Sequence, residues 1–279
     1  MALIPTGDIL AAATGAVCAF NVVTLEHAEA IVTGAEATGR PVILQISENA
    51  VRFHRGRLGP IAAATAAVAR AASVDVALHL DHVISPALLH EAPGHGFGSV
   101  MVDASRLSYL DNVTATRDAV GFGHLHGLWV EAELGTVGGK EGEPPLDPHA
   151  PQARTDPATA ASYVDETGVD ALAVAVGSSH AMTIRAAALD HELIGRLRAA
   201  LGVPLVLHGS SGVPDEELRR AVAGGLTKIN IGTALNVAFT AAVRDFLARD
   251  GRTVDPRKYL IPAREAMAAT VAHFTRLLA

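Results

Sequence analysis

Short apolar runs that end on a polar residue or a glycine alternate along the chain with longer alanine-rich segments whose apolar positions recur at helical spacing. Eight runs have this form, at residues 16–21, 41–47, 76–81, 99–103, 127–133, 171–177, 204–208 and 228–233. Their near-continuous apolarity suits strands buried on both faces of a parallel sheet. Helical patterns fill the gaps at 25–39, 58–72, 86–91, 107–122, 156–168, 189–201 and 214–224, several opening on Ser, Asp or Pro and closing on glycine. A further segment at 234–249 and an amphipathic stretch at 262–278 follow the last run. Eight βα units in series predict a single α/β domain over residues 1–279, a (β/α)8 TIM barrel with a C-terminal helical extension.

A barrel gathers the C-terminal ends of its strands around one mouth, so the residues at those ends converge in space. They are polar here: Asn21, Ser47, Asp81 with His82, Asp103, Glu131 with Glu133, the run from Gly177 to His180, His208 with Ser210 and Ser211, and Asn230 with Thr233. The connection 135–155, rich in glycine and proline and without periodicity, leaves the same face after the fifth run. A loop of that length inside a compact domain is usually functional.

Composition narrows the partners. With 49% hydrophobic and 18% charged residues the 279-residue chain is globular in type, and its formal net charge of −7 gives no reason to expect nucleic acid or an anionic membrane. Any anionic ligand must be held by a local site. The one cysteine, Cys18, excludes an intrachain disulfide and a cysteine-based zinc knuckle, and its apolar surroundings predict an inert buried thiol. The N-terminus lacks the pattern of a secretory signal, and no uninterrupted apolar stretch reaches about 18 residues. A cytoplasmic protein is expected.

His82, His180 and His208, at the ends of the third, sixth and seventh runs, supply the three protein ligands that a catalytic zinc site needs beside an open position. His79 lies within its strand and is expected in the core or behind a ligand; the remaining histidines fall on helices and loops. Asp81 and His82 are adjacent, so a regular strand would point them to opposite faces. Either the strand has ended there, or Asp81 orients a ligand, caps a helix or serves a turn. Glu131 and Glu133 share a face inside the barrel, where one could touch a metal or both could form structural ion pairs. The small residues Gly209 to Gly212 and the segment 230–233 occupy the position where barrels bind phosphate through backbone N–H groups, with a helix expected to start near Asp215. Only Lys140, Lys228 and Lys258 are present, and Lys228 stands at the start of the eighth run, away from the mouth. A Schiff base needs an amine at the reacting carbonyl, so a metal acting as Lewis acid is the favoured electron sink.

These residues resemble the class II, metal-dependent fructose-bisphosphate or tagatose-bisphosphate aldolases over essentially the whole chain. The similarity rests on Asn21 after Ala-Phe, on Leu80-Asp-His82, on 99–105, on 131–139 (Glu-Ala-Glu-Leu-Gly-Thr-Val-Gly-Gly), on His180, on Leu207-His-Gly-Ser-Ser-Gly212, on Lys228-Ile-Asn-Ile and on Asp255-Pro-Arg-Lys-Tyr259. It implies that His82, His180 and His208 hold Zn2+, with Glu133 and Asp103 near an alternative position of the ion or behind its ligands. It also implies that Asp81 exchanges the proton of the C4 hydroxyl and that Glu141 handles the proton of the enediolate carbon. Substrate phosphate would lie against Gly209, Ser211, Asn230, Gly232 and Thr233, with a monovalent cation (Na+ or K+) near Gly177 and Gly209. Asn21, Ser47 and Asn230 would touch sugar hydroxyls, and Arg257 would reach the distal phosphate of a neighbouring subunit in a homodimer or homotetramer. The chain departs from the family at Ala181, where glycine is common, at Gly232, and in the wording of 178–182, positions that flank phosphate and sugar contacts.

The expected reaction is reversible cleavage of a ketose 1,6-bisphosphate, foremost fructose 1,6-bisphosphate, to dihydroxyacetone phosphate and glyceraldehyde 3-phosphate. Tagatose 1,6-bisphosphate or a keto-sugar acid phosphate is the alternative substrate, and a metal-dependent sugar-phosphate isomerase or epimerase the alternative reaction. An amidohydrolase is disfavoured because the first run ends on Phe20-Asn21 rather than a His-x-His pair. A non-catalytic binding protein would leave the converging ligands unexplained.

Overall fold

The computed structural model describes residues 3–139, 146–150 and 153–279. Eight parallel strands close into a barrel in sequence order, β8 pairing with β1. They are β1 Val17–Asn21, β2 Val42–Ser47, β3 Val76–Val83, β4 Ser99–Val102, β5 Trp129–Leu134, β6 Ala171–Val174, β7 Leu205–Leu207 and β8 Leu226–Ile231. The helices are α1 Thr6–Ala12, α2 Leu25–Glu36, α3 Glu48–Phe53, α4 Leu58–Ala71, α5 Pro86–Glu91, α6 Tyr109–Leu125, α7 Pro157–Thr167, α8 His191–Ala200, α9 Asp215–Ala223, α10 Thr233–Arg249 and α11 Pro256–Leu277. The expected TIM barrel is thus the observed one.

Alternation along each strand divides the residues between two cores. One parity (Cys18, Phe20, Val42, Leu44, Ile46, Val76, Leu78, Leu80) packs outward into the large core shared with the helices. The other parity faces into the barrel and changes character along the axis. At its N-terminal end Val17, Ala19, Ile43 and Ala77 form a separate small cluster closed by Ile9 of α1. One step up stand the buried polar residues Gln45, His79, Ser99, Glu131 and Lys228, and above them Asp81, Asp103, Glu133, His208 and Asn230. A dry floor, a charged middle and a reactive mouth are therefore written into every second residue.

The structure departs from the sequence pattern at element ends, each for a local reason. Helix α6 begins at Tyr109 rather than 107 because the Ser108 hydroxyl accepts from Asp111 N–H. The last helix begins at Pro256 rather than 262, since Asp255 caps it and Pro256 sits in its first turn; Pro262 lies inside it. Short helices α1 and α3 carry too few residues to show a period. Strand β8 starts at Leu226, which moves Lys228 from the supposed strand start into the barrel's charged middle.

Helix α11 crosses back onto α2, where Gly34 allows close approach: a Cβ there would stand 2.6 Å from Val271 Cβ, as well as against the Ala268 carbonyl. Replacing Gly34 by Val is expected to destabilise the fold by about 1–3 kcal/mol through overpacking, read as a lowered urea midpoint with an unchanged slope. An unchanged midpoint would show that α11 is not clamped there.

Candidate active site

The mouth opens into a cavity of about 740 Å³ whose lining includes Asn21, Gln45, Ser47, Asp81, His82, Asp103, His180, Gly209, Ser211, Asn230, Gly232 and Thr233. Residues that follow or end seven of the eight strands thus meet there, as barrel closure requires.

The conflict between Asp81 and His82 is resolved by a bulge. Strand β3 does not end at Asp81: Leu80 pairs with Val100 and Val83 with Val102, so three steps on β3 face two on β4. His82 absorbs the extra residue with φ of +49°, a left-handed conformation costly for a side-chain-bearing residue. Both neighbours consequently line the same cavity.

The rings of His82, His180 and His208 are mutually edge-on, with centroids 5.1 Å apart for His82–His180, 4.7 Å for His82–His208 and 5.8 Å for His180–His208. One nitrogen from each lies within 4.8 Å of the others, a group that could hold a metal ion. His82 Nδ1 is 2.8 Å from Asp103 Oδ2, which steers its ring, and the backbone N–H of His180 donates to the Gly138 carbonyl at 2.7 Å, which fixes the chain that carries the second ring. His208 Nε2 bonds Glu131 Oε1 at 3.0 Å, while its Nδ1 lies 3.1 Å from Glu133 Oε2. Neither Asp103 nor Glu133 joins the three-nitrogen group; each stands beside a histidine, and Glu133 is fully buried. Ala181, at the family's glycine position, has φ of +56°, which accounts for glycine being favoured there.

Electrostatics inside the barrel are set by compensation. Burial would raise the Glu131 pKa, but Lys228 Nζ at 2.6 Å and the bond from His208 outweigh it and hold the carboxyl well below the usual carboxylate range. Burial would likewise depress His208; its bonds and attractions to Glu131 and Glu133 push it up to about 9 instead. Burial, with the Lys228 charge, lowers His79 to about 3. Asp81 is lowered as well, the imidazoles of His82 and His208 outweighing its burial. Asp81 Oδ2 accepts from Asn21 Nδ2 at 3.2 Å and Gln45 Nε2 at 3.4 Å, leaving the buried Oδ1 without a hydrogen-bond partner.

On the far side of the cavity, Gly209 takes φ of +67°, and a Cβ there would meet the Ser179 carbonyl at 2.5 Å. A 3-10 turn over Ser210–Gly212 follows, and Ser211 Oγ accepts from Ala234 N–H at 3.0 Å. Both polar side-chain atoms of Asn230 are buried and unpartnered beside this turn. The helix that opens on the cavity is α10, through Gly232 and Thr233, not α9 near Asp215 as expected. The first turn of α9 carries Asp215, Glu216 and Glu217, which would repel an anion.

The chain matches the family described as fructose-bisphosphate aldolase class-II over residues 6–279. It is 40% identical over 261 residues to a fructose-bisphosphate aldolase of Geobacillus stearothermophilus, covering 92% of this chain and 88% of that one. Among solved structures it is similar to the YdjI aldolase from Escherichia coli K12, with TM-score 0.84, 31% identity and coverage of 99% and 97%. It is also similar to a putative fructose-1,6-biphosphate aldolase from Coccidioides immitis, with TM-score 0.85, 28% identity and coverage of 98% and 95%. The chain belongs to the class-II fructose-bisphosphate aldolase family.

In this aldolase several expected residues stand away from the cavity. Gly177 does not line it; with φ of +115° it packs against the Ala188 carbonyl and His149. Arg257 is exposed at the protein surface and chelated by its neighbour Asp255 through Nε and Nη2, so in a single chain it reaches no site residue. Ser47 lines the cavity, but its hydroxyl is also the cap of α3, accepting from Ala50 N–H at 3.2 Å. Glu141 lies outside the described residues. Gln45, by contrast, was not singled out from the sequence; a polar residue two before Ser47 in an apolar run was the available signal. Lys228 does not line the cavity, which leaves the aldolase without a lysine at the mouth among the described residues.

Because the folded Glu131 pKa lies below its ordinary value of 4.5, the stability it contributes is complete above that pH and is lost as pH falls below it. Urea midpoints of metal-free aldolase between pH 7 and pH 3 should therefore fall more steeply than those of a Lys228→Met/Glu131→Leu double variant, whose pH 7 stability stays near the parent's. Parallel acid limbs would show that the pair is not charged in the fold.

Proposed function

We propose that this aldolase is zinc-dependent and reversibly cleaves C3–C4 of fructose 1,6-bisphosphate to dihydroxyacetone phosphate and glyceraldehyde 3-phosphate. The observation that carries this reading is Asp81, a buried carboxylate with one oxygen held by two amides and the other without a hydrogen-bond partner, lining the same cavity as His82 and His180, whose rings converge with that of His208. Three nitrogens with an open side fit Zn2+, and the family is generally zinc-dependent. Bound there by His82, His180 and His208, the ion would supply Lewis-acid polarisation of substrate oxygens, with Asp103 and Glu133 steering the rings rather than ligating.

Asp81 takes the proton of the C4 hydroxyl as C3–C4 breaks. Its depressed pKa keeps it ionised at neutral pH, and the Asn21 and Gln45 amides fix its direction. Glu141 is the assigned carrier for the enediolate carbon proton, carried by the match to the family. The substrate phosphate is assigned to Gly209, Ser211 and the start of α10 at Gly232 and Thr233, where N–H groups and the helix dipole favour an anion despite the protein's negative charge. Asn230, with both polar atoms unpartnered, and Asn21 are placed to bond sugar hydroxyls. The monovalent cation is assigned near Gly177 and Gly209. Helix α10 buries only Leu235 and leaves Val237 and Leu247 exposed, which supports self-association as a homodimer or homotetramer, the state in which Arg257 would act on a neighbour.

Chelation of the purified protein should abolish release of triose phosphate and added zinc restore it, while borohydride with substrate leaves no covalent adduct. Activity that survives complete zinc removal would refute the metal reading. Asp81→Asn is expected to lower kcat by about 10²–10⁴-fold with zinc content unchanged; loss of zinc instead would make Asp81 a ligand or scaffold. Tagatose 1,6-bisphosphate turned over faster than the fructose epimer would overturn the substrate assignment.

A further inference from the structure

Beneath the cavity a line of hydrogen bonds runs down the barrel axis from His208 through side chains that the reaction does not touch. Lys228 Nζ is its centre, 2.6 Å from Glu131 Oε2 and 3.4 Å from His79 Nε2. His79 Nδ1 is 2.8 Å from Ser99 Oγ, which lies 2.5 Å from Thr6 Oγ1 at the floor. On the other side Glu131 Oε1 is 3.0 Å from His208 Nε2. Lys228, Glu131, His79, Ser99 and His208 are all fully buried, so no water competes for these bonds.

An ammonium has hydrogens to give and no lone pair to accept with. That single fact orders the whole line: His79 must present the lone pair of Nε2 to Lys228 and donate from Nδ1 to Ser99. Glu131, held by Lys228 through Oε2, must accept through Oε1, so His208 carries its proton on Nε2. We propose that Lys228 is a positioning residue for the zinc-binding reading above: acting through Glu131, it holds a His208 proton on Nε2, so that Nδ1, 3.1 Å from Glu133 Oε2, is the nitrogen offered to the metal. This rests on His208 being a ligand, and it explains why the barrel keeps a dry lysine below a site that uses no Schiff base.

The direction of the line makes a prediction that mere packing does not. In Glu131→Gln the new amide must turn its oxygen to Lys228, since two donors repel. Its NH2 then faces His208 Nε2, the ring proton moves to Nδ1, and the ligand atom is blocked. Adding Lys228→Met frees the amide to turn its oxygen to His208 and restores the useful tautomer.

Zinc affinity, measured by competition with a chromophoric chelator, is therefore expected to fall about 10–100-fold in Glu131→Gln and to recover by about tenfold or more in Lys228→Met/Glu131→Gln. A double variant that binds no more tightly than Glu131→Gln, or a Glu131→Gln variant that binds like the parent, overturns the proposal. Should either variant fail to fold, zinc-loaded parent protein labelled with 15N-histidine gives the same decision. His208 must show a protonated Nε2 and a metal-shifted Nδ1, and the reverse assignment overturns it. A parent protein that binds no zinc sinks the metal reading itself, a failure distinct from normal parent binding with no rescue.

Discussion

Charge cannot stand dry inside a barrel without a partner, and this constraint shapes the molecule from the floor to the mouth. Glu131, Glu133, Lys228, His79 and His208 are excluded from water. Leaving any one of them uncompensated costs several kcal/mol. They occupy the inward parity of β3, β5, β7 and β8, strands distant in sequence, and only closure of the sheet brings them within hydrogen-bond distance. Closure and compensation therefore require each other. The aliphatic cluster around Ile9 seals the bottom, so the polar line can open only toward the mouth.

The chemistry inherits that arrangement. Two histidines at the mouth are aimed by groups that are themselves held, His82 by Asp103, which also accepts from Ser105, and His208 by Glu131, while the backbone of His180 is tied to the Gly138 carbonyl. Asp81 is aimed by two amides from β1 and β2. Preorganised donors and carboxylates of this kind spend their ordering cost during folding rather than during reaction. The bulge at His82 bends the backbone away from regular strand, and it is what lets a base and a neighbouring imidazole share a cavity.

Much of this was legible in the sequence because barrel geometry converts position along a strand into position in space. Polar endings on apolar runs marked Asn21, Ser47, Asp81, His82, Asp103, His208 and Asn230, and all of them reach the cavity rim or the layer just below it. What was not legible depended on single-residue events. A positive φ at a histidine leaves no local signature, so the alternatives of a strand end and an orienting Asp81 both missed the bulge. Two residues of difference in the start of β8 placed Lys228 at the wrong level, and with it the partner of Glu131. The helix expected at the phosphate loop, near Asp215, is α9, whose first turn carries three acids that repel an anion, whereas α10 is the helix that opens on the cavity. Gln45 was hidden by its apolar neighbours.

The central claim is that His82, His180 and His208 form one metal centre beside Asp81. Anomalous diffraction at the zinc edge from crystals of the metal-loaded protein tests it most directly. The account predicts one strong peak within bonding distance of a nitrogen from each of the three histidines, with Asp81 in the same cavity and off the ion. A peak bound elsewhere, or none at the three rings at full zinc loading, would contradict it.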